Sequence, residues 1–228
     1  NRSSLNILVL PDDPMMTILG EKSKVIIGDV NSPDALESLT KDCEVLFHLA
    51  GKVHSVPRTK EEENEFYKVN VEGTKNLLQA ARKNRVRRFI FYSSVSVYGK
   101  DADFHGNEMS PCRPNSVYAK SKYQAERLVL ESSKNGGPEG VILRFPVAYG
   151  SHDRGNVAGL IKAVRGDYFF YFGDGKAKRS MVSSKNAAEL AFLAAIKPEA
   201  TGHVFCGTDG EDYTIEDVIE CICRVLGK

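Results

Sequence analysis

Tyr118 and Lys122 stand four residues apart in Val117-Tyr118-Ala119-Lys120-Ser121-Lys122, at the start of a stretch with helical periodicity. That spacing puts both side chains on one helix face, within reach of one pocket. A free phenol, with a pKa of about 10, is a poor base at neutral pH. An ammonium beside it favours phenolate and makes tyrosine a usable general acid–base. Upstream, the hydroxyl-rich Tyr92-Ser93-Ser94-Val95-Ser96 follows directly on an apolar run, Phe89-Ile90-Phe91. In a doubly wound sheet the carboxyl ends of the strands form the ligand crevice. Ser94 is therefore placed to bond a substrate oxygen while Tyr118 exchanges its proton. Either feature alone is common in chains without such chemistry, where serines simply cap turns; together they point to an acid–base site.

Elements that must position these groups follow from an alternation of short apolar strands with helices, the pattern of a parallel sheet covered on both faces. Strands are expected over 5–10, 25–30, 44–51, 88–94 and 141–145. A helix opens at Ser32-Pro33, with serine as N-cap and proline at the first helical position, and runs through Thr40. One helix is expected from about 61 to 83, with Val69, Leu77, Leu78 and Ala81 on its apolar side. Another spans 117–133 and stops before Asn135-Gly136-Gly137-Pro138. Beyond Gly150 the pattern loosens, with helices over 157–165 and 187–196. A last helix is capped by Thr214 and Asp217 and stopped by Gly227.

The bulk numbers bound the function class. With 31 basic and 30 acidic residues in 228, the net charge is +1, without the basic excess of a nucleic-acid binder. The densest basic run, Arg82 to Arg88, reads as a solvated helix end and loop. Five scattered cysteines show no zinc-ligand spacing and read as reduced thiols of a cytoplasmic protein. No apolar run approaches the ~20 residues of a membrane span and no signal-peptide pattern is present, so no membrane partner is expected.

Several segments, in order, resemble the extended short-chain dehydrogenase/reductases, the NAD-dependent epimerase/dehydratase group. Gly28-Asp29-Val30 is similar to that family's adenine-contacting strand end, and His48-Leu49-Ala50-Gly51 to the strand end that passes under the cofactor. Asn70-Val71-Glu72-Gly73-Thr74 resembles its Asn-x-x-Gly-Thr helix, whose asparagine braces the central strands. Ser94 aligns with the catalytic Ser/Thr, Tyr118 and Lys122 with the catalytic pair, and Arg144 to Gly150, through Pro146, with the strand that leads into the substrate lobe. The resemblance implies a Rossmann-type α/β fold, with an NAD(P)-binding domain over 1–150 and a small substrate lobe over 151–228. It also implies a homodimer formed through the Tyr–Lys helix and its neighbour. The family's Gly-x-x-Gly-x-x-Gly loop and first strand have no counterpart here, so the sequence is expected to be part of a longer chain. The lobe, too, is expected to continue past the last helix.

Further likenesses bear on the reaction. Gly173-Asp174-Gly175 through Arg179 resembles the segment of nucleotide-sugar members in which arginine meets the diphosphate, and Asn156 is placed like an asparagine used on the same part. Guanidinium suits phosphate through bidentate contacts. Dehydratases of the group carry Asp-Glu where this chain has Val95-Ser96, so dehydration is not expected. Many sugar epimerases carry asparagine where this chain has Val147, a pattern similar to certain reductases. The leading expectation is an NAD-dependent nucleotide-sugar 4-epimerase. The alternatives are an NAD(P)H-dependent 4-ketoreductase and a non-catalytic Rossmann binding protein. NAD is preferred over NADP because Asp12 and Asp13 follow the first strand and no arginine is near. His54 is a candidate for the pocket wall.

Overall fold

In the computed structural model, residues 5–19, 23–53, 55–99, 106–151, 153, 155–166, 168–169 and 175–228 are described. The first half alternates strand and helix: β1 (Leu5–Val9), β2 (Ser23–Ile27), α1 (Pro33–Thr40), β3 (Val45–His48), α2 (Lys60–Tyr67), α3 (Gly73–Lys83) and β4 (Arg88–Ser94). There follow α4 (Val117–Lys134), β5 (Glu139–Phe145), β6 (Val147–Tyr149), α5 (Asn156–Arg165), β7 (Lys178–Ser183), α6 (Ser184–Ile196), β8 (Val204–Cys206), β9 (Asp212–Thr214) and α7 (Ile215–Leu226). A parallel sheet in the order β3-β4-β5-β8 forms the centre, and β1 and β2 make a separate parallel pair.

The strands are apolar on both sides because helices cover both faces. On one face Leu46, Phe89, Phe91 and Ile142 pack with Leu36 of α1, Leu77, Leu78 and Ala81 of α3, and Ala125 and Val129 of α4. On the other, Ile90, Val141, Leu143 and Phe145 pack against the alanine-rich side of α6. The fold is the expected α/β arrangement with a parallel sheet. Beyond Gly150, β7 pairs parallel with β6 and antiparallel with β9, and α5 packs on α7 around Val164, Ile219 and Ile222.

Four details depart from the sequence reading. The helix expected over 61–83 is interrupted: residues Lys68–Glu72 form a π-helical turn between α2 and α3. The extra residue in that turn brings Asn70 and Val71 inward, and Val69 is only half-buried. Ser32 stands at the N-cap of α1 without a capping bond, its hydroxyl accepting instead from the Asp29 amide at 3.4 Å. Arg88, read as solvated, is 1% exposed. Its guanidinium donates to Glu139 (2.6 and 2.9 Å), to the carbonyls of Ala194 (2.9 Å) and Lys197, and to the Thr201 hydroxyl, closing the C-terminus of α6. Strands β6, β8 and β9, of three residues each, are too short to show a period in the sequence. The Thr214–Asp217 capping box and the left-handed Gly227 (φ 71°) form as expected.

Candidate active site

The Ser116 hydroxyl accepts from the Ala119 amide at 3.1 Å and so caps α4. This fixes Tyr118 in the first helical turn, where the unsatisfied amides give a positive field. One turn on, Lys122 is 4% exposed. Its ammonium lies over the Phe91 ring of β4, 4.1 Å from the centroid. Burial draws the Lys122 pKa down to about 8, against an upward pull from the Glu126 carboxylate.

Ser94 ends β4, and its hydroxyl accepts from the Ser96 amide at 3.2 Å. It also interacts with the Tyr118 hydroxyl, an influence that lowers the Tyr118 pKa. The sequence reading has the ammonium lowering the Tyr118 pKa. The structure shows the opposite: burial raises it, and only the interaction with Ser94 pulls it back. The Lys122 ammonium lies over the Phe91 ring and does not offset that burial.

The π-helical turn supplies the brace. Asn70 donates to the Ser121 hydroxyl at 2.9 Å and to the Lys52 carbonyl at 3.2 Å, and accepts from the Lys52 amide at 2.7 Å. Ser121 in turn donates to the Tyr118 carbonyl at 2.8 Å. One asparagine thus joins the chain beyond β3 to the turn of α4 that carries Tyr118. Thr74 donates to the Asn70 carbonyl at 2.6 Å and meets His48 Nε2 at 2.9 Å. Because the threonine proton is committed to the carbonyl, the imidazole is the donor in that contact. Burial, with the Lys122 charge second, holds His48 neutral with a pKa of about 3. Gly73 lets α3 approach: a Cβ there would stand 2.5 Å from Val30 Cγ2.

Residues assigned to the cofactor side lie along the strand ends. Leu49 is 62% exposed and Ala50 is exposed beside it. A Cβ on Gly51 would stand 3.2 Å from Asn70 Oδ1 and 3.9 Å from Lys122 Nζ. The strand end before Lys122 is thus bare backbone with an ammonium close by. Val30 is buried, and the Asp29 carboxylate accepts from the Asn31 amide at 2.7 Å. Pro146 sits between β5 and β6. Asp12 is exposed with φ 62°, a turn conformation.

Asn156 and Arg179 belong to a different setting. Asn156 is exposed at the first position of α5. Arg179 is exposed on β7, and its guanidinium donates to the Lys178 carbonyl at 3.0 Å. His54, Gly173 and Asp174 lie outside the described residues.

One group escaped the sequence reading. Glu126 continues the Tyr118–Lys122 stripe by a further turn and is 1% exposed. Its oxygens accept from the Ser93 hydroxyl at 2.6 Å and from Arg144 Nε and Nη2 at 2.9 and 2.7 Å. The signal was available: a carboxylate four residues beyond a lysine on one face.

The sequence profile described as the NAD dependent epimerase/dehydratase family matches residues 7–215. The chain belongs to that family. It is 33% identical over 206 residues to the N-acetyl-α-D-glucosaminyl-diphospho-ditrans,octacis-undecaprenol 4-epimerase of Escherichia coli O157:H7, covering 89% of this chain and 60% of the relative. It is 30% identical over 213 residues to the UDP-glucose 4-epimerase of Vibrio cholerae, covering 89% of this chain and 63% of that protein. The chain thus spans about three-fifths of the length of these relatives. Among solved structures, the UDP-glucuronic acid 4-epimerase of Bacillus cereus, in complex with UDP-glucuronic acid and NAD, superposes with a TM-score of 0.83 at 26% identity. That match covers 94% of this chain and 69% of the other. No helix among the described residues is long and apolar enough to cross a membrane.

Proposed function

We propose that this chain carries the Rossmann part of an NAD-dependent nucleotide-sugar 4-epimerase, with Tyr118 as acid–base, Ser94 as its hydrogen-bonding partner and Lys122 as the supporting cation. The observation that carries this reading is the convergence of three elements on one place: Ser94 of β4 near enough to Tyr118 of α4 to influence its pKa, and the Lys122 ammonium beside the bare strand end at Gly51. A nicotinamide ring needs a strand end that it can approach closely, and the bare backbone of Gly51 supplies one. Asp29 and Val30 would border the adenine end, Pro146 the nicotinamide end. NAD bound there would accept a hydride from the sugar carbon and return it.

This chain's own groups handle the proton. Tyr118 removes it from the sugar hydroxyl that Ser94 orients, helped by the positive field of the α4 N-terminus and by the fraction of Lys122 that is charged near neutral pH. Asn70 holds the Tyr118 turn in place through Ser121. The buried Ser96 hydroxyl has no partner among the described residues, as expected of a group whose acceptor or donor arrives with a ligand. On this reading Arg179 and Asn156 anchor the substrate diphosphate, so the keto-sugar turns over without leaving. The reading includes a homodimer packed through α3 and α4, which light scattering on the intact protein measures.

A second reading, a one-way 4-ketoreductase using the same residues with exchangeable NAD(P)H, is favoured by Val147 in the place of asparagine. Denaturing extraction of cofactor, followed by incubation with UDP-glucose and UDP-N-acetylglucosamine without added nicotinamide, separates the two. Co-purified NAD with formation of the 4-epimer is the expected result. Empty protein that oxidises NADPH only with a keto substrate would establish the reductase. Failure to bind either nucleotide would leave a non-catalytic binding protein.

A further inference from the structure

Glu126 sits where three elements meet. It is on α4, one turn beyond Lys122. It accepts from Ser93 of β4, the residue before Ser94, and from two nitrogens of Arg144 of β5. Arg144 is itself closed off, with Nη1 donating to the Tyr98 hydroxyl at 2.8 Å and the guanidinium 4.8 Å from the Tyr98 ring centroid. Glu126, Arg144 and Lys122 are all less than 5% exposed. Replacing a buried ion pair by apolar residues of similar volume is often neutral or stabilising. Stability alone therefore does not account for two buried cations and one carboxylate beneath the acid–base pair.

We propose that Glu126 is a positioning residue for the Tyr118–Lys122 pair: its carboxylate locks α4 against the strand that ends in Ser94 and keeps Lys122 an ammonium. The proposal rests on reading Lys122 as the cation that supports Tyr118. Among the described residues, the groups around Lys122 leave Glu126 as its only anionic neighbour. His48, facing it from β3, is held neutral. Phe91 of β4 offers a ring and Asn70 an amide, both uncharged. Tyr118, on the same helix, is kept protonated by burial. Arg144 from β5 is cationic, with its charge turned to Glu126. Lys52, beyond β3, sends its ammonium to Glu65. Without the carboxylate, Lys122 faces only burial, which favours the neutral amine.

The test titrates Lys122 directly, through the 13Cε chemical shifts of lysines in the intact protein, with the Lys122 signal assigned by its loss in Lys122→Met. In Glu126→Gln the Lys122 midpoint should fall by about one pH unit or more, the scale of losing an opposite charge at close range. Glu126→Asp should restore most of it. Ser93→Ala, which removes a hydrogen bond but no charge, should leave the midpoint in place. If Glu126→Gln lowers the melting temperature yet leaves the midpoint unmoved, Glu126 is merely structural and the proposal fails. Should Glu126→Gln not fold, Glu126→Gln combined with Arg144→Met removes both charges of the pair, and the same fall in midpoint is expected. An unmoved midpoint in that double variant overturns the proposal equally. Turnover supplies the second readout: the alkaline limb of kcat/KM should move to lower pH in Glu126→Gln. The lysine titration needs no substrate. Retained turnover in Tyr118→Phe would therefore sink the acid–base reading and leave the Lys122 result standing.

Discussion

Around Lys122 the polar side chains are inside the protein and bonded to one another: Asn70 to Ser121, Thr74 to His48, Glu126 to Ser93 and Arg144. Around Arg179 they are exposed, and among the described residues the arginine's one side-chain hydrogen bond is to its neighbour's carbonyl. The first group hangs on central strands and long helices that bury apolar surface on both faces of the sheet. The second hangs on the six-residue strand β7 and the start of α5. The difference matches the tasks proposed for them. Proton transfer requires groups held in place before substrate arrives. Gripping a flexible diphosphate requires long cationic side chains free to move, and such chains lose rotamer entropy only on binding.

The sharpest way to break this contrast is at its centre. Tyr118→Phe removes one oxygen from the buried seam, and turnover should fall by about 10²- to 10⁴-fold, the usual contribution of a positioned acid–base. Thermal melting should change little, since the ring keeps its packing. Activity within a few-fold of the parent would place the chemistry elsewhere.

Lys122→Met is next in size and reads stability against pH. In the folded protein the amine titrates at about 8, against about 10.4 in an unfolded chain. Unfolding therefore takes up a proton between those values, and stability from this group rises with pH across that window. Below about 8 the buried ammonium costs on the order of 3 kcal/mol. The methionine variant should be more stable than the parent at pH 7, and chemical denaturation at several pH values should show that advantage closing toward pH 10. A constant difference would mean Lys122 is not the titrating group. A catalytic cation that destabilises its own fold is the expected counterpart of an exposed arginine that leaves it unaffected.

Much of the buried seam was legible because its residues obey two periods at once. Tyr118 and Lys122 share the helical spacing, and Ser94 closes an apolar strand; Glu126 extends the same spacing by one turn and still escaped. The capping signal at Thr214–Asp217 is local chemistry and forms as read. What escaped depended on distant partners. Arg88 looks like the tail of a basic run until the carbonyls at the end of α6, more than a hundred residues on, are seen to meet it. The π-helical turn at Lys68–Glu72 has no signature in composition. It is stabilised by the bonds that Asn70 and Thr74 make across the fold, so a straight helix was the natural reading. The raised Tyr118 pKa escaped because spacing shows that an ammonium shares the face, not how deeply the phenol is buried.

Gly73→Ala tests how tightly the seam is packed. The backbone there is ordinary helix (φ −57°), so alanine brings no strain of its own, yet its methyl would stand 2.5 Å from Val30 Cγ2. Over-packing of this kind should cost about 1–3 kcal/mol, less the gain in helix propensity, read from urea denaturation. A neutral result would mean that α3 shifts freely against the strand end at Val30.

Arg179→Ala carries the smallest expected effect on the fold and so tests the other side of the contrast. The guanidinium is exposed and makes no ion pair among the described residues, so stability should stay within about 0.5 kcal/mol of the parent. If the arginine grips the substrate diphosphate equally before and during reaction, KM should rise about tenfold with kcat unchanged, the signature of lost uniform binding. A fall in kcat at constant KM would give Arg179 a part in the chemical step, and the division between a preset buried seam and a mobile grip would no longer hold. A variant indistinguishable from the parent in both constants would remove Arg179 from the site and shift the search for the diphosphate anchor to other exposed cations of the lobe. Lys178, adjacent on β7, is the first to replace.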